Sequence, residues 1–396
     1  MPHGPAIQPR FQHVTPAFRT FCGEDALAAL PRELDRLGAS RAVIVCAPWV
    51  RDHPHVLADI EKALGARLAR CFDGVEDHSP VPVVEEARRS LEHARADAVI
   101  AVGGGSAIVT ARAATILLAE RRPARDLCTR RQADGRLTSP RLAAPKIPNW
   151  VVPTTPITAY AKAGSAVRDP DTGERLALFD PKTRAQGIFL DPAMALTAPA
   201  GLTSSAALNA FAMAVESLQA CPDDPLAEAL LVHALRMLAQ WLPRLRSAPD
   251  QAEPRLRLML AALLCGQGSD YVGGGLAQAL SHAAGPRSSV SNGVVEALLL
   301  PHTMRFNAPV TGPGLGLVAE TLDTRSAAQP AAEKRAIAAV EGFLADLAVP
   351  ARLRDVGITK AALADVADHA MDDWAITRVP RRVDRQELDQ LLCAAW

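Results

Sequence analysis

The first half of the chain alternates short apolar runs with longer stretches of helical period, and that alternation restricts the fold more than any other feature. Arg41 to Ala47 (RAVIVCA) and Ala98 to Val102 (AVIAV) are apolar at every position or nearly so. A strand that is apolar on both faces needs cover above and below, which a parallel sheet with crossover helices supplies. Ala66 to Phe72 and Asn149 to Val152 read as further strands. Glu24 to Gly38, Pro54 to Leu64, Val83 to Arg95 and Ile108 to Ala119 carry the helical spacing between them. Past Leu202 the strand signal stops. Ser204 to Gln219, Pro225 to Leu242, Arg255 to Cys265, Gly275 to Ala284 and Ala331 to Leu347 repeat apolar residues every three or four positions, rich in Ala and Leu. The predicted architecture is α/β plus all-α: an N-terminal Rossmann-like parallel-sheet domain over 1–195, then a helical-bundle domain over 196–396. The boundary is expected in Leu190 to Gly201, where Asp191-Pro192 and Pro199 punctuate the chain, with an active-site cleft between the domains.

At 396 residues, 49% of them hydrophobic, the chain can bury large cores. Lys+Arg and Asp+Glu both number 43. That neutrality argues against nucleic-acid and acidic-membrane partners, which call for a basic excess, and it favours self-association, so a homodimer is expected. Neither a signal peptide nor a membrane span stands out; Arg112 interrupts the most apolar window. The seven cysteines include no CxxC and read as reduced thiols of a cytoplasmic protein.

Two turns carry candidate chemistry. The strand ending at Val102 runs into Gly103, Gly104, Gly105 and Ser106 and then a helix. Glycines admit positive φ and close backbone approach, and a helix start offers unpaired N–H groups to a phosphate, with Ser106 as N-cap or donor. The same pattern also makes an ordinary tight turn, and it is not GxGxxG. Pro153-Thr154-Thr155 follows a second strand and adds two hydroxyls. Two such turns at the carboxyl ends of parallel strands lie where ligands bind in open α/β sheets.

Ala98 to Arg112 (AVIAVGGGSAIVTAR), the WVVPTT run ending at Thr155, Ile188 to Pro192 (IFLDP), Leu202 to Ser217 (LTSSAALNAFAMAVES) and Gly275 to Asn307 occur in order. Together they resemble the iron-containing alcohol dehydrogenase superfamily, whose wider fold is that of dehydroquinate synthase. Leu208-Asn209-Ala210 and the C-terminal VPRRVDRQELDQLLCAAW point within it to the maleylacetate reductase branch. The resemblance implies NAD or NADP as cofactor, bound by Gly103 to Ser106, Thr154 and Thr155.

Metal-using members take an Asp and a His four residues apart, then two His fourteen apart. Asn209, Met213, Gln278 and Asn292 stand at those positions. Neutral amides and a thioether are poor ligands for iron or zinc, so no metal is expected. Asn209 and Gln278 are then either satisfied core amides or groups that hydrogen-bond a substrate carbonyl or carboxylate. His282, four residues after Gln278, corresponds to a position near nicotinamide and substrate; it is either a proton donor to a carbonyl oxygen or a satisfied core histidine. Val109 replaces an acidic residue of the relatives and Arg112 a lysine. The run Pro156 to Lys162 lacks their glycines, which would crowd a pyrophosphate. Tyr160, Lys162, Asn292 and Arg287 are candidate contacts to an anionic substrate.

The expected activity is a metal-independent NAD(P)H-dependent reduction of a carbonyl or enone in a small carboxylated substrate. The alternative is a non-redox enzyme or a catalytically silent paralogue that reuses the same cleft.

Overall fold

The apolar runs of the first half align as a six-stranded parallel sheet. The computed structural model describes residues 11–132, 136–220, 224–272, 275–322 and 331–396. The sheet strands are β1 (Arg19–Cys22), β2 (Ala42–Cys46), β3 (Leu68–Phe72), β4 (Ala98–Gly103), β7 (Asn149–Pro153) and β10 (Ala185–Leu190). Two two-residue strands, β5 (Arg130–Arg131) and β6 (Leu137–Thr138), pair apart from it. So does the antiparallel hairpin of β8 (Gly164–Arg168) and β9 (Arg175–Phe179).

The sheet order is β1-β10-β7-β4-β2-β3, every pairing parallel. Successive strands first step one way, from β2 to β3, and then the other, from β4 to β7 to β10. The order therefore reverses between β2 and β4, and such a switch point opens a ligand crevice at the strands' carboxyl ends. Alternation along the strands explains the double burial. Ile44, Cys46, Ile100, Val102, Trp150 and Val152 form one face and pack with Leu30 and Leu34 of α1 (Leu30–Arg36) and Ile60 and Leu64 of α2 (Pro54–Leu64). Val43, Val45, Val99, Ala101 and Val151, of the other parity, are equally buried. Helices α3 (Val81–His93) and α4 (Gly105–Glu120) pack together, and α4 lies on β2, β4 and β7. The short α5 (Ala124–Leu127) and α6 (Pro192–Thr197) follow in the chain, Asp191 capping α6 through the Met194 N–H at 3.1 Å.

The helix-only half forms α7 (Ala200–Ala220), α8 (Pro225–Ser247), α9 (Ala252–Val272), α10 (Leu276–Ala284), α11 (Asn292–Asn307), α12 (Gly312–Leu322), α13 (Ala332–Asp346), α14 (Leu363–Asp372) and α15 (Arg385–Ala395). One buried cluster joins Leu276, Leu280 and Ala284 of α10, Leu298 and Leu299 of α11, Val366 and Ala370 of α14 and Leu388 and Leu392 of α15.

The compact units do not follow chain order. One comprises Pro16–Ala207 and Trp241–Gly266; the other comprises Leu208–Gln240 and Gln267–Trp396 with residues 11–15. Arg255 shows why the α9 segment belongs with the sheet. Its buried guanidinium donates to the carbonyls of Ala195 at 2.8 Å and Ala198 at 2.5 Å. Among the described residues, no helix is long and apolar enough to cross a membrane.

Candidate active site

In the sheet unit, the glycine turn ends β4 beside the switch point. Gly103 has φ +135°, where side chains are strained, and a Cβ there would stand 3.2 Å from Cβ of Ala107. Gly104, not Ser106, is the N-cap of α4, because the helix already begins at Gly105. Ser106 is the second helical residue, and its carbonyl accepts the Ser79 hydroxyl at 3.1 Å. Among the described residues no side chain caps the helix start, so its first N–H groups are left to a ligand or solvent. A Cβ on Gly104 would meet the Thr155 hydroxyl oxygen at 3.2 Å, so the second turn lies against the first. The Thr154 N–H donates to the Gly103 carbonyl at 3.1 Å. The Thr154 hydroxyl is buried and has no hydrogen-bond partner among the described residues.

The glycine-free run after Thr155 is fastened from within. Thr158–Ala161 forms a single 3-10 turn. Tyr160 is fully buried rather than extended toward a substrate: its hydroxyl donates to the Thr155 carbonyl and accepts the Ile157 N–H at 3.0 Å. Burial pushes its phenol well above the ordinary value. Arg112, also buried, donates to the carbonyls of Gly164 at 2.8 Å and Ala159 at 2.9 Å. Arg184 holds the Ala161 carbonyl at 2.6 Å. Lys162 is half-buried at the end of the turn. Ile157 Cδ1 comes within 3.8 Å of the point where a Cβ on Gly105 would stand.

In the helical unit, Asn209 and Met213 share a face of α7, as i,i+4 spacing requires. Asn209 donates through Nδ2 to Glu296 Oε2, a wholly buried carboxylate on α11. Ser281 Oγ lies 3.5 Å from the same oxygen and donates to the Gln278 carbonyl at 2.9 Å. Gln278 is buried, and its side-chain oxygen has no hydrogen-bond partner among the described residues. Asn292 begins α11 over Gly285, where any Cβ would stand 1.8 Å from its amide oxygen. The structure thus gathers Asn209 and the α10 turn bearing Gln278 around Glu296.

His282, half-buried on α10, points its Nδ1 at Asp373 Oδ2, 2.8 Å away. A carboxylate only accepts, so the pair places the histidine proton on Nδ1. Arg287 donates to the Ala283 carbonyl at 2.6 Å and to Asp365, so its guanidinium holds the end of α10 as well as facing solvent.

Three residues of the helical unit lie outside the sequence reading. Glu216 and Glu296 carried a signal, since Glu216 is the one charge of α7 and Glu296 the one acidic residue of α11, and buried charge is rare unless satisfied. Asp373, in an acidic surface-like run, carried none.

The signature of the iron-containing alcohol dehydrogenases matches residues 16–192, and the signature of the C-terminal part of the Fe-containing alcohol dehydrogenase family matches 203–396. Maleylacetate reductase 2 of Cupriavidus pinatubonensis is 30% identical over 379 residues, 96% of this chain and 94% of that one. The chain belongs to the iron-containing alcohol dehydrogenase family. Within that family, the lactaldehyde reductase of Escherichia coli K12 is 28% identical over 94% of this chain and 97% of its own. The crystal structure of maleylacetate reductase from Rhizobium sp. MTP-10005 superposes with a TM-score of 0.78, at 25% identity and 98% coverage of both chains.

Proposed function

We propose that the protein is an NAD(P)H-dependent reductase of a carbonyl or enone in a small carboxylated substrate, working without a metal ion. The observation that carries the cofactor half is the glycine turn at the switch point. It combines a positive-φ Gly103, an uncapped start of α4 and a buried Thr154 hydroxyl without a partner among the described residues. Those features suit a pyrophosphate, which needs close backbone approach and several donors. Gly103 to Ser106, Thr154 and Thr155 would hold it.

A reduced nicotinamide supplies hydride when bound. The chain's own part is the proton. With Nδ1–H of His282 donated to Asp373, it is the imidazolium form whose Nε2–H gives a proton to the oxygen of the reduced group, the ring returning to the neutral Nδ1–H tautomer. Asn209 and Gln278 orient the substrate through their amides and Asn292 adds a third, whereas Arg287 is already spent on Asp365 and the Ala283 carbonyl.

The residues at the family's metal positions do not fit iron or zinc. They offer three amide oxygens and a thioether, and the Asn209 amide nitrogen is engaged with Glu296. Forgoing a Lewis acid gives up several kcal/mol of charge stabilisation, so the substrate is one that reduces readily, such as a 2-oxo or vinylogous acid.

The second reading, a non-redox enzyme or silent paralogue, draws support from Ile157, whose side chain approaches the glycine turn. Fluorescence titration separates the two. Saturable quenching or enhancement with NADH or NADPH is expected; no binding of either nucleotide would remove the reductase reading.

A further inference from the structure

Two thiols meet at the open edge of the sheet, next to the switch point. Cys46 ends β2 and is wholly buried, while Cys71 is half-buried on β3, the edge strand. The register sets Cys71 opposite Ile44. Cys46, two residues further on, therefore projects from the same face, and the two Sγ atoms lie 3.9 Å apart. A disulfide needs about 2.05 Å. Among the described residues only one side of β3 is held by a neighbouring strand, so the edge strand can supply the approach.

The surroundings make the two sulfurs unequal. A hydrogen bond from Cys46 holds the Cys71 thiol below its ordinary value, and the same bond with burial pushes Cys46 up. Nearby Arg51 is paired with Asp73 at 2.5 Å, and the carboxylate offsets the guanidinium at both sulfurs. Cys71 is only half-buried on the edge strand while Cys46 is wholly buried, so peroxide reaches Cys71 first and Cys46 is the resolving thiol.

We propose that Cys46 and Cys71 form a peroxide-sensitive pair that closes reversibly to a disulfide and thereby weakens dinucleotide binding. The Cys71 thiolate attacks one oxygen of hydrogen peroxide; the O–O bond breaks, leaving a sulfenic acid and, with a proton, water. Cys46 then attacks the sulfenic sulfur, the S–S bond forms, the S–O bond breaks, and hydroxide leaves with the Cys46 proton as a second water. Two thiols are oxidised and one peroxide is reduced. The second limb rests on the nucleotide reading of the glycine turn. Beyond Cys46 the chain enters a 3-10 turn over Pro48–Asp52, and its Trp49 ring lies 3.9 Å from where a Cβ on Gly103 would stand. Movement at the end of β2 is therefore felt at Gly103.

The test uses hydrogen peroxide on the full-length protein, denaturing alkylation without reductant, and peptide mass analysis. The peptides bearing Cys46 and Cys71 are expected to be joined, lighter by about two hydrogens than their sum, and separated again by dithiothreitol. Exposed Cys22 and Cys393 would react first if accessibility alone decided. Finding them oxidised while Cys46 and Cys71 are both alkylated overturns the proposal. NADH should bind severalfold more weakly after oxidation, with no such change in Cys46→Ser or Cys71→Ser. A closed bridge with unchanged NADH affinity overturns the second limb. If the reduced protein binds no nucleotide, the cofactor reading and the second limb fail, while the peptide result still decides the thiol chemistry.

Discussion

The Glu216 carboxylate on α7 accepts the backbone N–H of Ala277 at 2.7 Å, and that of Gln278 at 3.1 Å, at the start of α10. A side chain 61 residues away in sequence thus caps the helix that carries Gln278 and His282. Gly275 makes room for it, since a Cβ there would stand 2.5 Å from the carboxyl carbon.

Glu216 makes stability depend on pH. Burial pushes its carboxyl up from 4.5 to about 7, against the backbone N–H groups of Ala277, Gln278 and Gly275 that pull it down. The folded state then holds a proton that the unfolded state has lost over that interval. Stability is greatest below the lower value, falls as pH rises through about 7, and levels off above. Thermal melts from pH 4 to 9 should show that slope in the parent and a flatter one in Glu216→Gln. Glu216→Ala, which strands two buried donors, should cost about 1–3 kcal/mol.

Arg112 fastens the 158–164 stretch through two carbonyls. Arg112→Met removes both of these hydrogen bonds while the Ala159 carbonyl keeps the Lys162 N–H at 3.2 Å, for an expected loss of about 1–3 kcal/mol. Denaturant titration measures it. A loss within experimental error of zero would show that the carbonyls find other partners.

Gly103→Ala forces a side chain into φ +135° and against Ala107. We expect a stability loss of about 1–2 kcal/mol and a larger proportional loss of NADH affinity, read by the same fluorescence titration. Equal affinity in mutant and parent would place the nucleotide elsewhere.

His282→Ala should lower kcat by about 10²–10⁴-fold on the reduced substrate. Asp373→Asn keeps the shape but exchanges an acceptor for an amide, so its kcat should fall between the parent and His282→Ala. Activity of His282→Ala equal to the parent would assign His282 to the core.

Purified protein should carry no stoichiometric iron or zinc by elemental analysis, and EDTA should leave turnover unchanged. The argument is the donor set Asn209, Met213, Gln278 and Asn292. Stoichiometric metal with loss of turnover on chelation would contradict it.

The sequence was informative wherever structure depends on neighbours along the chain. Pro54–Leu64 is helical over the residues its spacing predicts, and the expected strands 41–47 and 98–102 became Ala42–Cys46 and Ala98–Gly103. Periodicity missed β1, whose short run Arg19–Cys22 is largely exposed, and the β8–β9 hairpin, where alternation is brief. Of the two roles the sequence offered Ser106, the N-cap falls two residues earlier, on Gly104, because a glycine can occupy the cap without a side chain.

Backbone freedom at Gly103 and the residue types at the four metal positions are properties of the chain itself, and both were legible without coordinates. The fates of Tyr160, Asn209 and His282 were not. Tyr160 could have faced solvent, but packing of its turn spends the hydroxyl on Thr155 and Ile157. Asn209 meets Glu296 across 87 residues, and His282 meets Asp373 across 91. Such pairings arise because a buried polar group must find whichever partner the packed helices bring within reach, and only the tertiary structure decides which that is.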